Sequence, residues 1–305
     1  MPSTQAEAGP VKRVFFSLFV KIVQTFQGKG LTRIPGVSFI YDMIYKTLNP
    51  RGIIRISCQG STMYVNSKDK GLVPFLVKGI HEEPLTDLIH RLIRPGMVFT
   101  DIGANIGYFT LIAARLMKGE GRIYAFEPDP NNYELLVKNI EANRYDYVTA
   151  VPMAVTNAPG KLVLFLDRIN YGGSSLSGEN IPQTGASIEV ETTTLDHYFR
   201  NVVGDMKVDL IKVDAQGAEG LIFEGAENIL RSNDLKIIME FWPFGLENMG
   251  TDPRNLLQLF YNDGFRIKII DEEGNGIHST DIEKLIERCK HSSGGRGDVN
   301  LLLEK

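Results

Sequence analysis

The stretch VFTDIGANIGYFTLIAARL, residues 98–116, contains in order a predicted strand, a glycine turn and a helix, and this order decides the fold. Its apolar start ends at Asp101, and Gly103, Ala104, Asn105 and Gly107 precede an apolar pattern of helical spacing. A doubly wound sheet uses this arrangement to present a backbone loop to a nucleotide-like ligand. Glycine lets such a loop approach the ligand without strain, and the free N–H groups of the following helix point into the same crevice.

A carboxylate follows at the end of the next predicted strand. Residues 122–126 (RIYAF) lead into Glu127 and Pro128, and Glu127 comes 20 positions after Gly107. An acidic side chain at this point of a doubly wound sheet accepts hydrogen bonds from the two hydroxyls of a ribose. The glycines alone would also suit a tight turn without any ligand, so it is Glu127 that favours a binding site.

Composition is that of an ordinary soluble protein with a full core. The chain has 305 residues, 43% of them hydrophobic and 23% charged, which suits one large α/β domain with an extension. A net charge of −4 argues against a nucleic-acid partner, which needs a cationic surface. Cys58 and Cys289 have neither metal-ligand nor disulfide spacing, and this favours a cytoplasmic location.

The first 50 residues differ from the rest, with six basic residues against two acidic ones. Residues 11–26 hold an apolar run that Lys21 interrupts; it is too short to span a bilayer, and no convincing signal-cleavage site follows it. A helical stripe within it is formed by Phe15, Phe19, Ile22 and Phe26. Two interpretations stay open: a helix packed on the domain or on a second subunit of a homo-oligomer, or a basic amphipathic helix that contacts a membrane surface peripherally.

The chain divides into two predicted parts. Residues 1–95 form an extension with amphipathic helices and a small hairpin, and residues 96–305 form a doubly wound α/β domain with a mostly parallel, seven-stranded sheet. A hairpin with a long polar Gly/Ser loop is inserted at about 160–195, between the third and fourth strands of this sheet. Loops of this length inside a compact domain are usually functional, so a role on the substrate side is expected.

Three acidic residues end predicted strands of the main domain: Glu127, Asp214 and Glu240. In an open α/β sheet these strand ends line the ligand crevice. Lys212 lies two positions before Asp214, so both side chains project from the same face of their strand. Each acid singly would also suit a cap or a solvated loop, but together with the glycine turn they predict a binding site that holds one or two acid–base groups.

The motifs in combination resemble those of the FkbM-type methyltransferases, over residues 95–305. They are VFTDIGANIGYFT, YAFEPDP, the GGSSL loop, DLIKVDAQGAE and KIIMEFWP. The resemblance implies a Rossmann-like, S-adenosyl-L-methionine-dependent enzyme, in which the turn holds the methionine part of the cofactor, Glu127 its ribose, and residues near Met153 its adenine. The cofactor-binding residues so predicted are Asp101, Gly103, Ala104, Asn105, Gly107, Glu127, Pro128, Met153 and Ala154.

The resemblance places Asp214 where the transferred methyl group meets the acceptor. An alcohol is a weak nucleophile, so a carboxylate that takes its proton during an in-line displacement is useful. We predict Asp214 as this base, Glu240 as the second candidate and Lys212 as an electrostatic partner. The acceptor predicted is a hydroxyl of a sugar, glycan, lipid or secondary metabolite. No metal is predicted, because Asp214 and Glu240 have no identifiable third ligand.

The fourth-strand motif departs from the family pattern. The family commonly has Val-Glu where this chain has Ala215 and Gln216, and an amide cannot act as a carboxylate base. A non-catalytic cofactor-binding protein is therefore one alternative. An NAD-dependent oxidoreductase is another, although the GxGxxG spacing is absent. A nucleic-acid methyltransferase is disfavoured by the acidic charge balance and by the lack of an Asn-Pro-Pro-Tyr-like motif.

Overall fold

The computed structural model describes residues 10–25, 37–48, 52–167, 170–181, 184–204, 206–231, 234–271 and 276–305. The chain separates into two compact units, Met1–His81 and Glu82–Lys305. The predicted extension ran further, to residue 95. The intervening helix, Glu83–Leu92, instead contacts the helix that follows the glycine turn, and so belongs to the larger unit.

Within the described residues, the smaller unit contains three helices and the predicted hairpin. The helices α1, α2 and α3 span Pro10–Thr25, Val37–Leu48 and Val73–Lys78. The antiparallel strands β1 and β2, which lie between α2 and α3 in the chain, span Ile53–Cys58 and Ser61–Asn66. In α1, Phe16 and Val20 are buried, whereas Phe15 and Ile22 of the predicted stripe are exposed. Phe26 lies outside the described residues. What covers the stripe, whether a membrane, the domain or a second subunit, stays a prediction.

None of the helices within the described ranges combines the length and the apolarity that a crossing of the bilayer requires.

The larger unit alternates strands and helices as predicted. Its helices α4 to α12 span Glu83–Leu92, Tyr108–Met117, Pro130–Asn143, Leu195–Tyr198, Glu219–Glu224, Glu227–Leu230, Pro243–Asn248, Pro253–Asn262 and Ile282–His291. Its strands β3 to β13 span Val98–Ile102, Arg122–Phe126, Val148–Val151, Ala154–Val155, Gly160–Asp167, Thr184–Thr193, Leu210–Val213, Lys236–Phe241, Arg266–Asp271, Gly276–Ser279 and Val299–Glu304. Short 3₁₀ turns span Gly178–Asn180 and Ser293–Gly295, and a π-helical turn spans Phe199–Val203.

The larger unit is α/β with a mostly parallel central sheet, as expected. In the described residues this sheet has eight strands, whereas seven are predicted. Their order is β12-β11-β13-β10-β9-β3-β4-β5, and only β12 and β13 run against the other six. The additional strand is β12 at the edge, whose residues are mostly exposed. It therefore lacks the apolar pattern by which a buried strand is recognised in a sequence.

The predicted third strand, residues 148–155, is divided in two. β5 ends at Val151, and Ala154–Val155 form β6, which joins a separate sheet of order β6-β8-β7. Pro152 separates the two pieces, and proline has no N–H to donate to a neighbouring strand. The predicted inserted strands 161–166 and 188–194 correspond to β7 and β8, which pair antiparallel.

The register of the central strands decides where the predicted site residues lie. Ile102 at the end of β3 pairs with Phe126 of β4 on one side and with Val213 of β9 on the other, and Val213 pairs with Met239 of β10. β3 is buried along its whole length, as expected of a central parallel strand. Consequently Glu127, Asp214 and Glu240 all lie at one edge of the sheet.

Candidate active site

The glycine turn after β3 is closed by hydrogen bonds within the chain. The N–H groups of Gly103 and Ala104 donate to the Phe126 carbonyl at 3.0 and 2.9 Å, and that of Asn105 donates to Glu127 Oε2 at 2.7 Å. These turn N–H groups are therefore already engaged by the protein, and the turn contributes shape and side chains to the site.

Glycine is required at two turn positions because of neighbouring protein atoms. Gly103 has φ +71°, and a Cβ added there would lie 1.8 Å from the Asp214 carbonyl oxygen. Gly107 has φ +92°, and its added Cβ would lie 2.7 Å from Leu136 Cδ1. The expected need for glycine is confirmed, but the atoms that a side chain would strike belong to β9 and α6 and not to a ligand.

Asp101 is buried at the end of β3 between a hydroxyl and a cation. Its Oδ2 accepts a hydrogen bond from Thr110 Oγ1 of α5 at 2.6 Å, and its Oδ1 lies 3.9 Å from Lys212 Nζ. Burial raises the pKa of Asp101, and the opposing effects of Lys212 and Thr110 do not cancel this rise. Thr110 lies nine residues along the chain from Asp101, and the sequence analysis did not assign it a role.

Glu127 is buried at the end of β4 and accepts two backbone N–H groups. Besides Asn105 at Oε2, the Asp129 N–H donates to Oε1 at 2.9 Å. Burial raises the pKa of Glu127 to about 8, although both N–H donors act to lower it. Each carboxylate oxygen can accept a further hydrogen bond, so the group can still receive a ligand hydroxyl.

Two buried acceptors beside the turn test whether S-adenosyl-L-methionine suits this part of the site. Asp101 Oδ1 and Asn105 Oδ1 are buried and have no hydrogen-bond partner within the described residues. Buried polar atoms normally have a partner, so these oxygens fit a ligand rich in N–H donors. The ammonium of the methionine part is such a donor group, and the ribose hydroxyls suit Glu127. The residues present fit this cofactor.

The remaining predicted cofactor residues lie near this edge with less direct evidence of a role. Pro128 is partly exposed and separates Glu127 from Asp129, which caps α6. Met153 is partly buried against the main core. Ala154 is buried with Leu164 and Val190 of the second sheet. Their contact with adenine stays a prediction.

A buried lysine lies between two halves of the site. The cofactor half comprises the ends of β3 and β4 with Asp101 and Glu127, and the acceptor half comprises the ends of β9 and β10 with Asp214 and Glu240. Lys212 is 4% exposed, and its Nζ lies 3.5 Å from Asp214 Oδ2 and 5.1 Å from the centre of the Phe109 ring. Burial alone would lower the pKa of Lys212, but the charges of Asp214 and Asp101 outweigh it and the pKa is raised. Lys212 therefore stays cationic, which fits the electrostatic role predicted for it.

Asp214 and Glu240 are joined by the side chain of Gln216. Gln216 Nε2 donates to Asp214 Oδ1 at 2.8 Å and to Glu240 Oε2 at 3.2 Å. Burial raises the pKa of Glu240 well above its usual value, and the charges of Asp214 and Asp298 add to this rise. Asp214 remains 31% exposed. The structure thus brings together the two predicted acids through a residue that had been noted only as a departure from the family.

The inserted loop contacts both halves of the site. Ser175 Oγ and Asn180 Nδ2 donate to the Gln216 carbonyl at 2.7 and 2.9 Å. On the cofactor side, Asn132 Nδ2 donates to the Tyr171 carbonyl at 2.9 Å. The length and composition of this loop predict a role at the site. The hydrogen bonds of Ser175 and Asn180 to Gln216 could not be predicted, because these residues are distant from Gln216 in the sequence.

Within the described ranges, no three His, Cys, Asp or Glu side chains form a group suited to a metal ion.

Comparison with known proteins identifies the family. A sequence model of the methyltransferase FkbM domain matches residues 101–267, more than half of the chain. Methyltransferase sdnD of Sordaria araneosa is 27% identical over 200 residues, covering 56% of this chain and 76% of that protein. Hexuronic acid methyltransferase AglP of Haloferax volcanii is 25% identical over 176 residues, covering 53% and 60%.

Among solved structures, methyltransferase FkbM from Methylobacillus flagellatus covers 76% of this chain and 52% of its own, with 14% identity and a TM-score of 0.41. The matched family domain contains the glycine turn, Glu127, Lys212, Asp214 and Glu240. This protein belongs to the FkbM methyltransferase family, and S-adenosyl-L-methionine is its methyl donor.

Proposed function

We propose that the protein methylates a hydroxyl oxygen of a sugar, glycan, lipid or secondary metabolite. The observation that carries this proposal is Asp214, a partly exposed carboxylate at the end of β9 that lies 3.5 Å from the buried cation Lys212. A carboxylate held in this way suits removal of a proton from an alcohol, which is a weak nucleophile unless a base assists it.

In the proposed cofactor half, protein acceptors hold the donor groups of S-adenosyl-L-methionine. Asp101 Oδ1 and Asn105 Oδ1 accept from its ammonium, and Glu127 accepts from its ribose hydroxyls. When bound, the cofactor supplies an electrophilic methyl group on a positively charged sulfur. The unpartnered oxygens of Asp101 and Asn105 support this assignment.

In the proposed acceptor half, Asp214 would accept the proton of the acceptor hydroxyl. The positive charge of Lys212 lies 3.5 Å from Asp214 Oδ2, in a poorly hydrated environment where charge interactions are strong. Burial and the neighbouring carboxylates raise the pKa of Glu240 well above the usual value. This supports Asp214 as the base and leaves Glu240 as a hydrogen-bonding group.

Charge in the acceptor half favours an uncharged acceptor. The name of AglP states hexuronic acid as its substrate, and this supports a sugar as the acceptor class. In the present chain, however, the charged groups that act on Glu240 include Asp214, Asp298, Glu219 and Glu82. An anionic sugar would be repelled by these groups, so a neutral hydroxyl compound is the better fit.

The test is a search for labelled product. The protein is incubated with methyl-labelled S-adenosyl-L-methionine and fractionated neutral glycans, glycolipids and small metabolites, and the products are identified by mass spectrometry. Label on an oxygen that depends on intact Asp214 would support the proposal, whereas label on nitrogen or carbon would refute it. Binding of S-adenosylhomocysteine without product from any fraction would instead favour the non-catalytic alternative.

A further inference from the structure

We propose that Gln216 is a positioning residue that holds Asp214 in its acceptor-facing orientation by bridging it to Glu240. The inference rests on the proposed function for what Asp214 does, but the bridge itself can be tested without an acceptor. The amide of Gln216 carries two N–H donors on one nitrogen, and the two carboxylates lie 2.8 and 3.2 Å from that nitrogen.

The bridge fixes the orientation of the Asp214 carboxylate. Its Oδ1 receives the Gln216 amide and its Oδ2 faces Lys212 Nζ at 3.5 Å, so both oxygens are engaged from different sides. Rotation of the carboxylate would break one of these two interactions. Charge-assisted hydrogen bonds are about twice as strong as neutral ones, so the orientation is well determined while Asp214 is ionised.

The backbone of Gln216 has a conformation that serves this bridge. Its φ is +51°, a left-handed value that costs a residue with a Cβ roughly 1–2 kcal/mol. The Gln216 carbonyl is held by Ser175 Oγ and Asn180 Nδ2. The inserted loop therefore stabilises an unfavourable turn, and this turn directs the amide back toward the ends of β9 and β10.

An amide suits this position better than a carboxyl group because of the surrounding charge. The charged groups that act on Lys212 and Glu240 lie on several neighbouring elements. They are Glu82 before α4, Asp101 on β3, Lys212 on β9, Asp214 directly after β9, Glu219 at the start of α8, and Asp298 before β13. Only Lys212 among these is cationic, so a further carboxylate between Asp214 and Glu240 would be strongly repelled.

The first experiment measures stability against pH for Gln216→Glu, which replaces the amide by a carboxyl group of the same shape. Unfolding in urea is followed between pH 5 and 8. Because the introduced carboxyl has a raised pKa in the folded state only, the variant is expected to lie closest to the wild type at pH 5 and to weaken as the pH rises. The folding equilibrium constant should fall by roughly tenfold for each unit of that rise in pKa.

Three further variants make the result decisive. Adding Asp214→Asn to Gln216→Glu should remove most of the pH dependence, whereas Gln258→Glu, at an exposed amide of α11 that donates to Asn262, should follow the wild type throughout. If Gln216→Glu does not fold, Gln216→Met keeps the length without the donors and should show the same trend at smaller amplitude. A loss of stability that is equal at all pH values, in whichever variant folds, overturns the bridge.

The second experiment tests whether the bridge faces the transferred methyl group. The probes are S-adenosyl-L-methionine and S-adenosylhomocysteine, which differ by one positive charge at sulfur. At pH 8 the additional negative charge in Gln216→Glu should raise the preference for the charged probe by roughly threefold or more. An unchanged preference overturns the positioning role while the bridge stands. Failure of the proposed function would instead appear as absence of labelled product from the wild type.

Discussion

The ends of β3 and β4 and the ends of β9 and β10 lie at one edge of the same sheet, but they are held in different ways. In the first pair, Asp101 and Glu127 are buried, and the hydrogen bonds that their side chains accept come from residues close to the motifs themselves. In the second pair, Asp214 is partly exposed, and its surroundings depend on Gln216 and on a loop that is distant in sequence.

This difference is consistent with different roles for the two halves. The cofactor half binds one fixed molecule, so a short motif with its own hydrogen bonds suffices. In the proposed function, the acceptor half orients a base toward the acceptor. There the inserted loop and a bridging amide supply orientation that the strand ends alone do not.

The largest expected effect is at Gly103, where the glycine turn lies against the residue that follows β9. Gly103→Ala would place a Cβ 1.8 Å from the Asp214 carbonyl oxygen, and we expect a loss of about 3–5 kcal/mol in unfolding free energy in urea. Gly96→Ala is the matched control, since Gly96 has φ +87° but no atom within 4 Å of the added Cβ. It should lose only about 1 kcal/mol. Equal losses in both variants would show that a Cβ at residue 103 does not disturb the Asp214 carbonyl.

Asp214→Asn should separate the halves in function. We expect turnover with a neutral hydroxyl acceptor to fall by about 10²–10⁴-fold, because the amide cannot take the proton. The affinity for S-adenosylhomocysteine, measured by titration calorimetry, should change by less than about threefold. Asp263→Asn, at an exposed position after α11, is the control and should retain turnover. Retained turnover in Asp214→Asn would remove this residue from the mechanism.

Glu127→Gln should affect the cofactor half alone. The loss of hydrogen bonds from the ribose hydroxyls to a carboxylate should weaken S-adenosylhomocysteine binding by about tenfold or more. In the wild type, these hydroxyls should lower the raised pKa of Glu127, so binding near pH 7 should release a proton. Calorimetry in buffers of different ionisation enthalpy would measure this release, and the variant should lack it. Proton release that persists in the variant would place its source elsewhere.

Glu127 also predicts a pH dependence of stability. Its pKa is about 8 in the folded chain against an ordinary value of 4.5. The folded state therefore keeps a proton that the unfolded state loses, and the unfolding free energy of the wild type should fall as the pH rises through this window. Glu127→Gln should show a shallower slope in urea titrations between pH 5 and 8. Parallel slopes would contradict the raised pKa.

The smallest effect is expected from the loop. Ser175→Ala removes the hydrogen bond to the Gln216 carbonyl and should cost about 1 kcal/mol, together with a modest loss of turnover and unchanged cofactor affinity. Ser177→Ala, whose hydroxyl accepts only the Glu179 N–H in the described contacts, is the control for a loop serine outside the bridge. An equal fall in turnover for both would mean that the loop acts without Gln216.

Much of the fold could be predicted because its signals are local. Apolar runs that end in Asp101, Glu127, Asp214 and Glu240 place the central strands, and the structure confirms these strands. The prediction was wrong where burial does not mark a strand, as in β12, and where proline divides one, as at Pro152. Edge strands are specified by pairing with a neighbour and only weakly by their own sequence.

The candidate site was predictable to a similar limit. Asp101, Asn105 and Glu127 could be predicted because a turn and two parallel strand ends fix them within 27 residues, and their role stays a prediction. Gln216 was noted only as a substitution, and its bridging contacts were not predicted. Ser175 and Asn180 lie 41 and 36 residues from it along the chain, and periodicity carries no information about such pairs.

The sequence by itself determined a doubly wound sheet and the family, and it predicted a cofactor site at the end of the first strands. These features follow from side-chain periodicity and from backbone conformations that glycine permits, both of which are properties of short segments. Only the tertiary structure decided that Gly103 packs on the Asp214 carbonyl, that Lys212 lies between two carboxylates, and that Gln216 joins Asp214 to Glu240. Each of these depends on the distance between atoms of different strands and loops, which folding fixes through the packing of the whole domain.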